Sequence, residues 1–214
     1  LQYEITAAVL YDIATGDLKL PDGKQDFYLA SFGNFCVLDI AKNGSVTVSN
    51  ADISKGVQNE FEKRTLLFYT GVRRSSTEIL REQEKHLRAN KTDAMELKHA
   101  IKRIGRNILQ VFESGELDKF GALLDEHWNV KKKMSAKIST DNFDALYEKA
   151  KKEGALGGKI VGAGGGGFFM VFCKKGKQGA VRKVFAKEGM REVSFSVDSA
   201  GTQVLVNKPR TFTI

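Results

Sequence analysis

The segment Lys159-Ile160-Val161-Gly162-Ala163-Gly164-Gly165-Gly166-Gly167-Phe168-Phe169-Met170-Val171-Phe172-Cys173 sets the fold class of this 214-residue chain. Apolar, β-branched residues enter a glycine run and an apolar, aromatic run leaves it, so the segment reads as strand, loop, strand. So many positions without a Cβ let the backbone take positive φ and approach a ligand closely, and successive N–H groups there can form an anion-binding nest. The run formally matches G-x-G-x-x-G, but that dinucleotide fingerprint opens a helix, whereas Phe168 to Phe172 is a buried-strand pattern. No Lys-Ser or Lys-Thr follows, which excludes the phosphate loop of P-loop enzymes. The plain alternative is a flexible linker. Linkers are flanked by polar residues, whereas this run is held between apolar strands and has more glycines than a hairpin needs.

Downstream, the pattern gives a helix from about Lys177 to Lys187 and strands at Glu192 to Val197 and Thr202 to Val206. Upstream, a helix capped by Ser139 or Thr140 carries Phe143, Leu146, Tyr147 and Ala150 and ends at Gly154. Before it, Leu117, Phe120, Leu124 and Trp128 share a helical face, with Met134 near its extension and Lys131 to Lys133 near its end. Leu97, Ile101, Ile104, Ile108 and Val111 mark a helix that starts after Thr92 and stops at Ser114-Gly115, and Ser75 or Ser76 caps another running to about Ala89. Arg64 to Tyr69 reads as a short strand. The polar stretch from Asn50 to Lys63 separates all of this from a first block, which places a boundary between residues 1–60 and 61–214. In that block a helix runs to about Thr15, a turn surrounds Pro21, Asp22 and Gly23, and strands Phe35 to Ile40 and Ser45 to Val48 are joined through Asn43-Gly44, a hairpin signal.

With 42% hydrophobic and 28% charged residues and only 2 prolines, the chain is neither disordered nor fibrous. No apolar run is long enough to span a bilayer, and no leader pattern opens the chain, so a cytoplasmic protein is expected. Cys36 and Cys173 read as buried thiols in a reducing compartment. The net charge of +8 is compatible with nucleic acid, acidic lipid or phosphorylated small molecules. No zinc-finger, homeodomain or RNA-stacking pattern accompanies it, and the lysine runs fit solvated helix faces, so nucleic acid is not favoured. His86, His99 and His127 have no ligand-like spacing and no metal site is expected from them; Trp128 reads as core. The chain starts at Leu1 within a helical pattern, as a piece of something longer would.

The segment from Ala155 to Phe168 resembles the third conserved motif of the GHMP kinases, which phosphorylate galactose, homoserine, mevalonate and phosphomevalonate. Gly23-Lys24-Gln25-Asp26, then Leu66 to Gly71 with Arg73, Arg74, Ser75 and Ser76, and Asp125-Glu126-His127-Trp128 with Lys131 to Lys133, resemble the branch acting on D-glycero-D-manno-heptose 7-phosphate. The resemblance covers nearly the whole chain. It implies an α+β fold: the end of an N-terminal S5-like kinase domain, then a C-terminal ferredoxin-like domain of helices on an antiparallel sheet. It also implies ATP and Mg2+ as partners of a sugar phosphate, with no membrane. Self-association is left open. The family's phosphate loop, a Pro-x-x-x-Gly-Leu-Gly-Ser-Ser segment upstream of Gly-Lys-Gln-Asp, is not found in these residues, so the chain is expected to be inactive alone.

On this reading Asp26 is the catalytic aspartate that the resemblance implies; otherwise it is a turn or capping residue. Lys24 neutralises phosphate charge or acts on that aspartate as a nearby cation, or is a solvated turn lysine. Arg73, Arg74, Ser75 and Ser76 stand at a helix N-terminus, where free N–H groups, hydroxyls and guanidinium forks suit the sugar phosphate; simple capping is the alternative. Gly162, Ala163, Gly164, Gly165, Gly166 and Gly167 would close over the transferred phosphoryl group and stabilise it through N–H donors. Two other functions stay in view: a kinase of another sugar, of fucose or galactose type, and a non-catalytic basic module that binds phosphate or RNA.

Overall fold

The computed structural model describes residues 2–20, 23–73, 75–89 and 91–203. They divide into two compact units, 51–196 and a smaller one in which 2–50 is joined by the described residues from Val197 on. The divide between the units falls at 50/51, at the start of the polar stretch, and the tail is assigned to the first unit.

In the larger unit, helix α3 (Lys55–Arg64) leads into strand β3 (Thr65–Tyr69), followed by α4 (Ser76–Ala89), α5 (Lys91–Ser114), α6 (Leu117–Lys132) and α7 (Asp141–Lys152). Strands β4 (Ala155–Ile160) and β5 (Phe168–Cys173), helix α8 (Gln178–Lys187) and the two-residue strand β6 (Arg191–Glu192) complete it. The sheet order is β4-β5-β3-β6 and every pair is antiparallel. That order is the split βαβ arrangement of ferredoxin-like folds, with four helices in the first crossover and α8 in the second. This is the expected α+β architecture of helices on an antiparallel sheet.

Alternation along the strands supplies two cores. On one face Leu66, Phe68, Phe169 and Val171 meet Leu146 and Ala150 of α7 and Val181 and Phe185 of α8. Phe68 and Phe185 stack in parallel with ring centroids 4.2 Å apart. On the other face Phe172 joins Phe61, Phe112 and Phe120 in a cluster with centroid distances of 5.0 to 6.2 Å. Beside it Arg64 is buried, donating from Nε to the Cys173 carbonyl at 2.8 Å and pairing with Asp118, its guanidinium 4.6 Å above the Phe172 ring. Helix α6 serves both faces, with Phe120 on one and Trp128 on the other. It lies against β4 so closely that a Cβ at Gly157 would stand 2.0 Å from the Gly121 carbonyl oxygen.

In the smaller unit α1 (Gln2–Asp12) runs into a π-helical turn (Ile13–Asp17), followed by α2 (Lys24–Phe32) and a hairpin of β1 (Cys36–Ile40) and β2 (Val46–Asn50). Gly44 takes φ +84° in its loop, as the Asn-Gly pair predicts. The tail returns to the end of α2, where Thr202 N–H donates to the Ser31 carbonyl at 3.0 Å and Asn34 N–H to the Asp198 carbonyl at 2.6 Å. On α1 and its continuation Ile5, Val9, Leu10 and Ile13 are 43% to 54% exposed.

Several expectations are corrected. The polar stretch before Lys63 contains α3, capped by Ser54, whose hydroxyl accepts from Val57 N–H. The strand entering the glycine run begins at Ala155, so Gly157 and Gly158 are strand residues. The strand expected at Glu192 to Val197 pairs only through Arg191 and Glu192. Thr202 and Gln203 are not strand, and the rest of that expected strand lies outside the described residues, as does the turn at Pro21 and Asp22. Cys173 is buried as expected, its thiol pKa pushed up to about 12 mainly by burial, but Cys36 is only half-buried. Among the described residues no helix is long and apolar enough to cross a membrane.

Candidate functional site

The glycine loop is fastened from three directions. Gly165 N–H donates to the Ile138 carbonyl at 2.8 Å, in the loop before α7, and Gly167 N–H donates to the Val72 carbonyl at 2.9 Å, beyond β3. The Gly167 carbonyl accepts from Thr70 N–H at 2.9 Å and from its hydroxyl at 3.0 Å. Lys131 Nζ at the end of α6 donates to the Gly162 carbonyl. These contacts explain the glycines. At Gly164, φ +106°, a Cβ would lie 3.1 Å from the Ile138 backbone, and at Gly166 it would lie 2.7 Å from the Val72 carbonyl oxygen.

The same bonds sort the loop's donors. The N–H groups of Gly165 and Gly167 are occupied by protein carbonyls. Those of Gly162, Ala163, Gly164 and Gly166 make no hydrogen bond among the described residues. All four residues line a cleft of about 550 Å³, and Gly165 does not. Its other walls are Val72, Val161 and the rings of Tyr69 and Phe168, whose centroids are 5.5 Å apart, together with Arg73 and Ser76.

The structure therefore brings two of the expected phosphate-binding residues, Arg73 and Ser76, to the glycine loop. Arg73 is exposed and makes no ion pair among the described residues. Ser75 is the N-cap of α4, its hydroxyl accepting from Glu78 N–H at 3.4 Å, and does not line the cleft. Arg74 lies outside the described residues. The 14-residue helix α4 points its positive end at the cleft, where an anion is favoured. Its position is set by Lys137, which bridges Glu78 at 2.9 Å and Glu82 at 2.7 Å, and by Ser135 Oγ, 3.1 Å from Glu82. The Lys137 contact holds the Glu82 carboxyl below its usual range. Residues 135–138 thus support α4 with their side chains and the glycine loop through the Ile138 carbonyl. Sequence reasoning missed this support, because nothing in its composition marks it.

In the smaller unit Asp26 falls in the first turn of α2, behind the N-cap Gly23, and is exposed. Its carboxylate makes no ion pair among the described residues. Lys24 Nζ donates to the Gly44 carbonyl and stands 5.1 Å from the centre of the Tyr11 ring, so it ties α2 to the hairpin and to α1. Among the described residues no group of three His, Cys, Asp or Glu side chains converges as a metal cage. The helix motif also carries chemistry of its own. His127 is half-buried, its Nδ1 is buried and has no hydrogen-bond partner among the described residues, and its pKa is pushed down to about 4 by burial and by the charges of Lys159 and Lys131.

Residues 91–190 match the family described as GHMP kinases C terminal. The chain is 31% identical over 202 residues to D-glycero-alpha-D-manno-heptose 7-phosphate kinase of Campylobacter jejuni, covering 94% of this chain and 59% of that protein. It is 25% identical over 150 residues to L-fucokinase/L-fucose-1-P guanylyltransferase of Bacteroides fragilis, covering 68% of this chain and 16% of that protein. The crystal structure of a D-glycero-D-manno-heptose 1-phosphate kinase from Bacteroides thetaiotaomicron superposes with a TM-score of 0.68 at 25% identity, covering 91% of this chain and 52% of that one. The chain thus spans little more than half the length of the heptose phosphate kinases it matches.

Proposed function

Because this chain carries a GHMP kinase C-terminal domain, we propose that it serves an ATP-dependent kinase whose acceptor is a sugar phosphate, D-glycero-D-manno-heptose 7-phosphate, and whose product is the bisphosphate. The observation that carries this reading is the cleft in which Arg73, Ser76 and the α4 N-terminus face the unoccupied N–H groups of the glycine loop. A guanidinium fork at a helix N-terminus is a receptor for a phosphomonoester. The Tyr69 and Phe168 rings supply the apolar wall on which the face of a sugar rests.

Phosphoryl transfer is then a matter of positioning and charge. A sugar hydroxyl oxygen bonds to the γ-phosphorus of ATP, the bond from that phosphorus to the ADP oxygen breaks, and the hydroxyl proton passes to a base, the role that the family resemblance gives to Asp26. The N–H groups of Gly162, Ala163, Gly164 and Gly166 are the donors left for the charge that builds on the phosphoryl oxygens. Lys24 ties α2 to the loop between β1 and β2 through the Gly44 carbonyl. Mg2+ neutralises phosphate charge when it accompanies ATP.

The test is ADP release with heptose 7-phosphate, heptose and fucose as acceptors, in a protein of the relatives' full length that carries these residues. Heptose 7-phosphate is expected to be preferred, and Asp26→Asn to abolish turnover while leaving the circular dichroism spectrum unchanged. Preference for an unphosphorylated sugar would favour the fucokinase type, to which the Bacteroides fragilis relative is akin. Strongly salt-dependent RNA binding without turnover would favour a basic binding module instead.

A further inference from the structure

We propose that Lys137 is a positioning residue of the Arg73 cleft: with Ser135 it makes residues 135–138 a strut that fixes the spacing between the first turn of α4 and the glycine loop. The inference rests on the reading of that cleft as a phosphate site. Its two walls of donors come from distant parts of the chain. Arg73 and Ser76 stand at the start of α4, and the unoccupied N–H groups of Gly162, Ala163, Gly164 and Gly166 belong to the loop. A phosphate held by both walls needs them at one separation, and a small misplacement weakens every contact at once.

The strut is anchored on several sides. Ser135 is buried, and its hydroxyl donates to Glu82 at 3.1 Å and accepts from the Lys137 N–H at 3.1 Å. Ile138 is buried in the core, and the Ser139 hydroxyl donates at 3.0 Å to Asp144 of α7, which also pairs with Lys132 of α6 at 3.0 Å. From this base Lys137 Nζ reaches Glu78 at 2.9 Å and Glu82 at 2.7 Å, residues one turn apart on one face of α4. Glu78 belongs to the capped turn, its N–H donating to the Ser75 hydroxyl, so the grip falls on the turn that carries Ser76. On the other side the Ile138 carbonyl accepts from the Gly165 N–H at 2.8 Å. Among the described residues the apolar side chain that α4 buries is Ile79, and one buried contact fixes a point on a helix but not its direction. Exposed ion pairs contribute little to stability, so the Lys137 pairs act on alignment more than on the fold.

The test uses the 214-residue chain, with isothermal titration of heptose 7-phosphate and hydrogen exchange of the glycine amides in the ligand-free state. Lys137→Met should weaken heptose 7-phosphate by about fivefold, the most that an exposed ion pair contributes. Glu78→Met should weaken it too. That second variant separates alignment from charge, because it removes a negative charge from the turn that meets the phosphate, which by itself would tighten binding. Without ligand, Lys137→Met should speed exchange at Gly165, whose partner is on the strut, and leave Gly167, held by Val72, as in the parent. Glu78 is exposed, so Glu78→Met carries the test should Lys137→Met fail to fold. Unchanged affinity in Lys137→Met, tighter binding in Glu78→Met, or unchanged Gly165 exchange would overturn the inference, while Arg73-dependent binding by the parent would leave the cleft reading intact. No binding by the parent, or binding that Arg73→Ala does not weaken, would overturn both.

Discussion

Gly157→Ala places a methyl group where the fold has no room for one. Its Cβ would stand 2.0 Å from the Gly121 carbonyl oxygen and 3.0 Å from the Asp125 nitrogen. Carbon and oxygen rest no closer than roughly 3.3 Å, so β4 and α6 must separate by roughly 1.3 Å. Both obstacles are backbone atoms in regular elements, and no rotamer change relieves them. Overpacking of this kind costs ~3 kcal/mol, the upper part of its usual range. Urea unfolding followed by far-UV circular dichroism and by fluorescence of the single tryptophan, Trp128, which is buried on α6, measures the loss. Gly162→Ala is the control. Nothing lies within 4 Å of its Cβ, and at φ +74° it carries only the conformational cost of ~1 kcal/mol. A loss below ~0.5 kcal/mol for Gly157→Ala would refute the close packing of β4 on α6.

Phe185→Ala removes one member of the 4.2 Å stack with Phe68 from a site with 0% exposure and should lower stability by ~4 kcal/mol, read from the urea midpoint. His127 gives a pH dependence. Its pKa is held at about 4 in the fold against an ordinary value of 6.5, so between these values the unfolded chain binds a proton that the folded chain does not. Stability should be complete above pH 6.5 and fall as pH drops toward 4, by up to ~3 kcal/mol. His127→Gln should flatten that part of the melting curve; an unchanged slope would refute the burial argument.

The strand, loop, strand at the glycine run was legible because its apolar flanks and its glycines are both local signals. The long helices were legible from their stripes, as with Ile104 and Val111 on α5. Helix α3 was not, because Val57 and Phe61 stand almost alone in a polar run. It is held by Phe61 in the aromatic cluster and by the buried Arg64, contacts made with residues fifty or more positions away. The alternation of Val193, Phe195 and Val197 suits a strand, but the pairing with β3 ends at Glu192, with the Val193 N–H still reaching the Leu67 carbonyl. At the site, Arg73 and Ser76 could be named from residue type. Which glycine N–H groups stay available could not, since the carbonyls of Ile138 and Val72 decide it.

On the proposed function, the Arg73 cleft recognises a phosphorylated sugar. Isothermal titration of heptose 7-phosphate and of heptose, on the parent chain and on Arg73→Ala, measures that recognition. A charge-assisted hydrogen bond contributes about 1.5 to 3 kcal/mol, so Arg73→Ala should weaken heptose 7-phosphate at least tenfold and leave heptose unaffected. Equal affinity of the parent for the two sugars, or an Arg73→Ala chain that binds heptose 7-phosphate as the parent does, would contradict phosphate recognition by Arg73.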